Sequence, residues 1–339
     1  MAFKGWERIR IHTDKGGEAE AIAPVIISAS RATDLPAFHA DWFMNRLRKG
    51  YLRWTNPFNA AQPQYVSFAN TRVIVFWSKN PQPMLRYLDE LTLRGINCYF
   101  TYTVNDYEAE GFEPNVPSLT ERVRTFAALA EKLDKRRVIW RFDPLLLTDK
   151  LGVGDLLRKI EHVGEMLHPY TEKLVVSFAD IAAYAKVQRN LQKAAVHYRP
   201  FTEEEMRAVA AGLQALARRW GISVCTCGEE IDLSPYGIQH NRCIDDELMI
   251  RCFAHDQKLM DFLGYVPPEI DLFGGTAAAA RPNLKDKGQR AACGCIVSKD
   301  IGQYNTCPHL CRYCYANASP ASVAVNRRRF SVRGESILG

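Results

Sequence analysis

Cys307-Pro308-His309-Leu310-Cys311-Arg312-Tyr313-Cys314 sets three thiols in one short stretch at C-x3-C-x2-C spacing. Three thiolates from a single loop can each take one iron of a [4Fe-4S] cube and leave the fourth iron without a protein ligand. An open iron is a place where a small molecule can be chelated and electrons delivered to it. The competing reading is a zinc knuckle. Structural zinc takes four ligands, and this spacing offers only three unless His309, tightly spaced inside the loop, is the fourth. Disulfides are disfavoured, since nothing marks the chain as exported.

More cysteines stand upstream. Cys293-Gly294-Cys295 is a C-x-C pair just before the loop, Cys225-Thr226-Cys227 is a second, and Cys243 follows sixteen residues after Cys227. Two C-x-C pairs, or one pair with Cys227 and Cys243, would complete a four-thiolate site for zinc or for a second, fully ligated [4Fe-4S] cluster. The plainer alternative makes Cys225 and Cys227 packing residues at a strand end, because free cysteine is among the most buried residue types. Cys98 and Cys252 are expected to stay unliganded.

The elements that must position these thiols alternate. Apolar, β-branched runs occur at Val25–Ile27, Val73–Trp77, Cys98–Tyr102, Val138–Phe142, Leu174–Phe178 and Ile222–Cys225, and near-continuous hydrophobicity marks strands buried on both faces. Between them lie helices with legible ends. Ser118-x-x-Glu121 and Thr202-x-x-Glu205 read as capping boxes, and Gly50, Gly95 and Gly221 as helix stops. Six strand–helix units predict an α/β fold, a (β/α)6 partial TIM-like barrel with a C-terminal Cys-rich cluster-binding segment. A doubly wound open sheet is the alternative. The expected divisions are an N-terminal extension over 1–24, the barrel core over 25–236, the Cys-rich metal-binding segment over 237–317 and a loosely attached tail over 318–339. Gly274-Gly275-Thr276 and the alanines after it read as an insertion.

Barrel chemistry sits on loops leaving the C-terminal strand ends. Those positions hold Ser30, Arg31 and Asp34 after the first strand, Lys79 after the second, Asp143 after the fourth, and Glu229 and Glu230 after the sixth. Some serve as helix caps in the plainer reading, Asp34 among them. Arg141, between Trp140 and Phe142, is expected to point away from those rings and into the pocket.

The 339 residues carry a net charge of +6, with 47% hydrophobic and 24% charged residues, an ordinary globular profile. No apolar run reaches the roughly 20 residues of a membrane span, and the first residues lack a signal-peptide core. A reducing cytoplasm with metal-bound thiolates is the expectation. The mild positive charge permits an anionic partner without demanding one.

Taken together, Ile27–Asp34, Asn56-Pro57-Phe58-Asn59, Phe76–Pro81, Trp140–Pro144, Glu230–Leu233 and Cys293–Asn317 resemble a bacterial family of unknown function grouped with the radical S-adenosylmethionine (SAM) superfamily. The resemblance covers roughly residues 25 to 317. It implies a barrel-like fold and a cluster on Cys307, Cys311 and Cys314. The reduced cluster would cleave bound SAM to start radical chemistry on an unknown substrate, with an electron donor such as flavodoxin or ferredoxin. The family pattern matches Cys227, Cys243, Cys293 and Cys295 and leaves Cys225 outside. Tyr313 matches the aromatic that precedes the third cysteine in that superfamily. Ser30, Arg31, Asp34, Lys79, Arg141 and Asp143 are the candidates for holding SAM or substrate; no catalytic residue is assigned. Tyr313–Asn317 is also similar, over a short span, to the cluster loop of spore photoproduct lyase. Two departures stand out: the loop follows the last strand rather than the first, and the Gly-Gly-Glu element is absent. A closing barrel brings last and first strands together, which would return the loop to the same mouth. The alternative reading is a non-catalytic iron–sulfur or zinc protein that binds nucleic acid.

Overall fold

All six expected strands form, and they pair in chain order. A computed structural model describes residues 3–57, 59–267 and 281–339. Its strands are β1 (Glu7–His12), β2 (Glu18–Ala23), β3 (Ile26–Ala29), β4 (Tyr51–Asn56), β5 (Asn59–Ser67), β6 (Val73–Ser78), β7 (Asn97–Thr103), β8 (Val138–Leu145), β9 (Leu147–Thr148), β10 (Lys173–Phe178), β11 (Tyr198–Arg199), β12 (Ser223–Thr226), β13 (Gln239–His240) and β14 (Lys299–Asp300). Its helices are α1 (Leu35–Phe38), α2 (Ala40–Lys49), α3 (Leu88–Leu93), α4 (Leu119–Leu133), α5 (Val153–Leu167), α6 (Ala185–Lys193), α7 (Glu203–Trp220), α8 (Asp246–Phe253), α9 (Gln257–Leu263) and α10 (Pro320–Arg329).

The main sheet has eight strands in the order β13-β12-β10-β8-β7-β6-β3-β14, and every pairing in it is parallel. From β3 to β13 the order follows the sequence without the reversal that a doubly wound sheet requires. Among the described residues β13 and β14 do not pair, so the sheet is not a closed barrel. The last strand nevertheless returns to the first, because Lys299 and Asp300 pair with Ile27 and Ser28.

Both faces are buried, which accounts for the unbroken apolar runs. Ile27, Ile74, Phe100, Trp140 and Val176 share one core with residues of α2, α4, α5 and α7. Ile26, Val75, Tyr99, Ile139 and Val175 point the other way, onto α8, α9 and the Cys293–Val297 stretch. Polar contacts fix this second layer in register. Arg72 pairs with Asp256 at 2.8 Å, Lys173 pairs with Asp245 at 3.0 Å, and the Tyr99 hydroxyl donates to the Cys243 carbonyl at 2.7 Å. Both capping boxes form, and Gly221 closes α7 in the left-handed region at φ 66°.

Two expectations fail. Residues 1–24 are not a bare extension. β1 and β2 join β4 and β5 in a separate four-stranded sheet, order β1-β2-β5-β4. The tail is not loose either. The Trp42 indole N–H donates to the Gly334 carbonyl at 2.9 Å, the Arg53 amide to the Glu335 carbonyl at 2.8 Å, and Ile337 is buried. Gly274-Gly275-Thr276 and the alanines after it lie outside the described residues. No described helix is long and apolar enough to cross a membrane.

Candidate metal centres at the strand ends

Return of the chain along β14 hangs the C-x3-C-x2-C loop over the C-terminal ends of β3, β6 and β7. Asp300 anchors the approach: its Oδ2 accepts from the Ser28 hydroxyl at 3.0 Å and the Arg31 amide at 2.9 Å. Gly302 then passes against Ser30, and a Cβ there would stand 1.7 Å from the Ser30 Oγ. Ser30 is itself buried and accepts from the Ala32 amide at 2.9 Å. Gly302→Ala is therefore expected to cost about 1–3 kcal/mol by overpacking, read as a lowered urea midpoint, whereas alanine at exposed Gly17 costs nothing comparable.

Asp34 holds the loop to the sheet. Its two oxygens accept from the Ser78 hydroxyl (2.7 Å), the Lys79 amide (2.7 Å), the Ala37 amide (3.0 Å) and the His309 ring Nε2 (2.9 Å). The other ring nitrogen of His309 faces the Asn115 carbonyl at 3.1 Å. Both ring nitrogens are thus taken up by protein oxygens. So engaged, His309 is not turned toward the thiols as a fourth ligand.

The loop's three thiols face backbone amides, Lys79 and one another. Burial pushes Cys307 up to about 12, with Asp34 and Cys314 adding to the rise. Burial likewise raises Cys311, and there Cys314 and Cys307 both contribute, so the three lie within electrostatic reach of each other. Unmetallated, they are neutral thiols; a metal replaces their protons. A three-thiolate donor set with no competing imidazole fits a cluster with one open iron.

Beside the loop lies a buried polar floor. Lys79 Nζ pairs with Glu113 Oε1 at 2.8 Å and donates to the Tyr313 hydroxyl at 3.0 Å, while Tyr313 itself donates to Glu113. Asn105 bridges Glu113 Oε1 (2.9 Å) and the Asp143 carbonyl (3.1 Å). Burial alone would raise Glu113, but Lys79 and Arg122 outweigh it and hold the carboxyl at about 2. Asp143 accepts from Arg141 Nη2 at 2.7 Å and from the Ser177 hydroxyl, and these partners overcome burial to lower it. Glu229, accepting the Phe178 amide at 2.9 Å, is pushed by burial up to about 7.

The upstream cysteines gather on the opposite side of Arg141. Cys227 and Cys243 thiols touch at 3.4 Å, Cys295 Sγ accepts from the Cys243 amide at 3.2 Å, and Cys293 stands two residues before Cys295, held down to about 7 chiefly by its neighbour Cys295. Arg141 Nη1 and Asn241 Nδ2 each donate to Cys243 Sγ at 3.0 Å. Cys225 stays apart, buried near Lys173 and Asp245. Cys98 receives Arg137 Nη2 at 3.6 Å. Among the described residues no group of three or more His, Cys, Asp or Glu side chains is already set as a metal cage. Loading either thiol group thus requires side chains to turn from their neighbours to a common centre.

Of the residues singled out in the sequence, Lys79, Arg141, Asp143 and Tyr313 converge on the floor, Asp34 ties the loop, and Arg31 lies over the Trp77 ring at 5.0 Å. Ser30 is a packing residue beneath the loop. Glu113 and Asp300 were not singled out. Nothing in Gly111-Phe112-Glu113-Pro114 separates that glutamate from an acid on a solvated loop.

These features define an α/β protein with a mostly parallel sheet and two groups of cysteines near its C-terminal strand ends. The chain belongs to the family described as a domain of unknown function, DUF1848, whose model matches residues 26–316. That span opens at β3 and ends just past Cys314, so it takes in both thiol groups and omits β1, β2 and α10. No curated protein and no solved structure matches the chain.

Proposed function

We propose that the protein is a radical SAM-type iron–sulfur enzyme acting on a still unidentified substrate, with a [4Fe-4S] cluster on Cys307, Cys311 and Cys314. One observation carries this reading: three thiols share a loop whose only imidazole is turned onto Asp34, beside a floor of Lys79, Asn105 and Tyr313. When bound, the reduced cluster supplies one electron for cleavage of SAM. The chain's own residues bind and orient. Lys79 and Arg141 place fixed positive charge at the mouth, and Asp143 and Asp34 fixed negative charge, an arrangement suited to a ligand carrying both an amino and a carboxylate group. In this reading the parallel sheet is a (β/α)6 partial barrel, its mouth covered by the loop. The electron arrives from a flavodoxin- or ferredoxin-like donor, and thiolate-held iron suits a reducing cytoplasm.

Anaerobic reconstitution is expected to load about four irons on this loop, and dithionite reduction with SAM to release 5′-deoxyadenosine. A loaded cluster that releases none under several reductants rules out the radical chemistry and leaves the cluster standing. A second reading, a non-catalytic metalloprotein that binds nucleic acid, draws on Arg327, Arg328 and Arg329, exposed in the last turn of α10. It requires affinity for tRNA or DNA that falls steeply with salt.

A further inference from the structure

We propose that Cys227, Cys243, Cys293 and Cys295 form a second, separate metal centre that takes one tetrahedrally coordinated zinc ion, with Arg31 and Arg141 as its charge-compensating neighbours. The inference stands on these residues alone and does not depend on the chemistry of the Cys307 loop.

Two guanidiniums make the case. Arg31 and Arg141 both lie over the Trp77 ring, at 5.0 and 5.4 Å from its centroid. Arg141 spends one arm on Asp143 and aims Nη1 at Cys243 Sγ, 3.0 Å away. Arg31 has less. Its Nη2 is buried without a hydrogen-bond partner among the described residues. Burial opposes its charge, and the Asp300 carboxylate is the main group sustaining it. Burying a guanidinium beside neutral thiols is costly unless an anion faces it. The four thiols become a further anion when a divalent ion displaces their protons, because a zinc tetrathiolate is a dianion. The free guanidinium arms then face that charge, beside the Asp143 and Asp300 carboxylates that already oppose Arg141 and Arg31.

The geometry favours one ion over a cube. Zinc–sulfur bonds of about 2.3 Å place tetrahedral thiolates about 3.8 Å apart. Cys227 and Cys243 thiols already stand 3.4 Å apart, and Cys295 lies on the Cys243 and Ile244 amides at 3.2 and 3.4 Å. A [4Fe-4S] cube spreads its thiolates over four separate irons and needs them farther apart. The ligands come from the loop after β12, the start of the α8 layer and the strand leading to β14. One ion would therefore tie the layer under the sheet to the segment that carries the C-x3-C-x2-C loop.

The test is elemental analysis of the full chain, purified anaerobically. About one zinc per chain is expected whether or not iron is present, so failure of the cluster reading leaves this result untouched. Cys295→Ala is expected to lose the zinc and keep the iron, and Cys311→Ala to do the reverse. Cobalt substituted into wild-type protein is expected to give the visible bands of a tetrahedral tetrathiolate, a readout independent of any variant's folding. Arg31→Met keeps every thiol and is expected to weaken zinc retention against a chelator by about 10–100-fold, the usual effect of losing an outer partner. About eight irons with no zinc would overturn the proposal. So would zinc that survives Cys295→Ala, or retention unchanged in Arg31→Met.

Discussion

Replacing Glu113 with glutamine is expected to destabilise the protein by about 3–5 kcal/mol, the usual cost of removing one partner of a buried ion pair. Glu113 is 4% exposed and Lys79 17%, with 2.8 Å between them, and Arg122 stands 3.6 Å from the other carboxylate oxygen. Arg122 keeps the Asn105 carbonyl at 2.8 Å when the charge is lost, so Lys79 bears most of the cost. Lys79→Met together with Glu113→Gln should accordingly recover part of the loss, and the coupling in that double-mutant cycle measures the pair. The acid limb gives an independent check. Burial raises the Glu113 carboxyl, yet Lys79 and Arg122 bring it down to about 2 from an ordinary 4.5. A depressed carboxyl contributes stability that is fully present above 4.5 and is lost as pH falls toward 2. That contribution is about 3 kcal/mol. Urea midpoints of wild type should therefore fall between pH 5 and 2 more steeply than those of Glu113→Gln. Parallel acid limbs would show that the pair is not ionised as drawn.

The main sheet was legible because burial on both faces writes itself into sequence as unbroken runs such as Val73–Trp77 and Leu174–Phe178. The second sheet was not. β1, Glu-Arg-Ile-Arg-Ile-His, is mostly exposed or half-buried, so only two isoleucines mark its inner face. β4 follows Gly50 directly and mixes arginine, tryptophan and asparagine, which mimics a loop. The packing of the tail was hidden for a different reason. Trp42 meets Gly334 and Arg53 meets Glu335 across nearly three hundred residues, and no local pattern encodes such a contact. Among site residues, the thiols announced themselves by spacing and Arg141 by alternation between two core aromatics. Glu113 owes its role to Lys79, arriving from the end of β6, and Tyr313, arriving from the C-terminal loop. His309 shows the limit of spacing arguments, since it sits where a ligand would and serves instead as a clasp on Asp34.

That clasp sets the second large effect. Four donors converge on Asp34, which has about four acceptor positions to meet them. Asp34→Ala removes the cap of α1, worth about 0.5–2 kcal/mol. It also strips the acceptor from the buried His309 ring, the Ser78 hydroxyl and the Lys79 amide, and the total is expected to reach about 3–5 kcal/mol. Asp34→Asn is not the mild change its shape suggests. Wherever its amide group is placed, it opposes a backbone N–H, either of Lys79 or of Ala37, and one buried donor loses its acceptor at about 1–3 kcal/mol. His309→Gln keeps a side chain able to donate to Asp34, so it should fall nearer the asparagine variant than the alanine one. The same series reads out the cluster loop, because Asp34 is the tie between the strand ends and the turn bearing Cys307 and Cys311. If that turn holds iron, iron retained after gel filtration should decline in the order wild type, Asp34→Asn, Asp34→Ala, with all three thiols intact. Undiminished iron and an unshifted melting temperature in Asp34→Ala would mean that the loop holds its shape without the clasp, its backbone bonds to Phe112 and Ala316 sufficing.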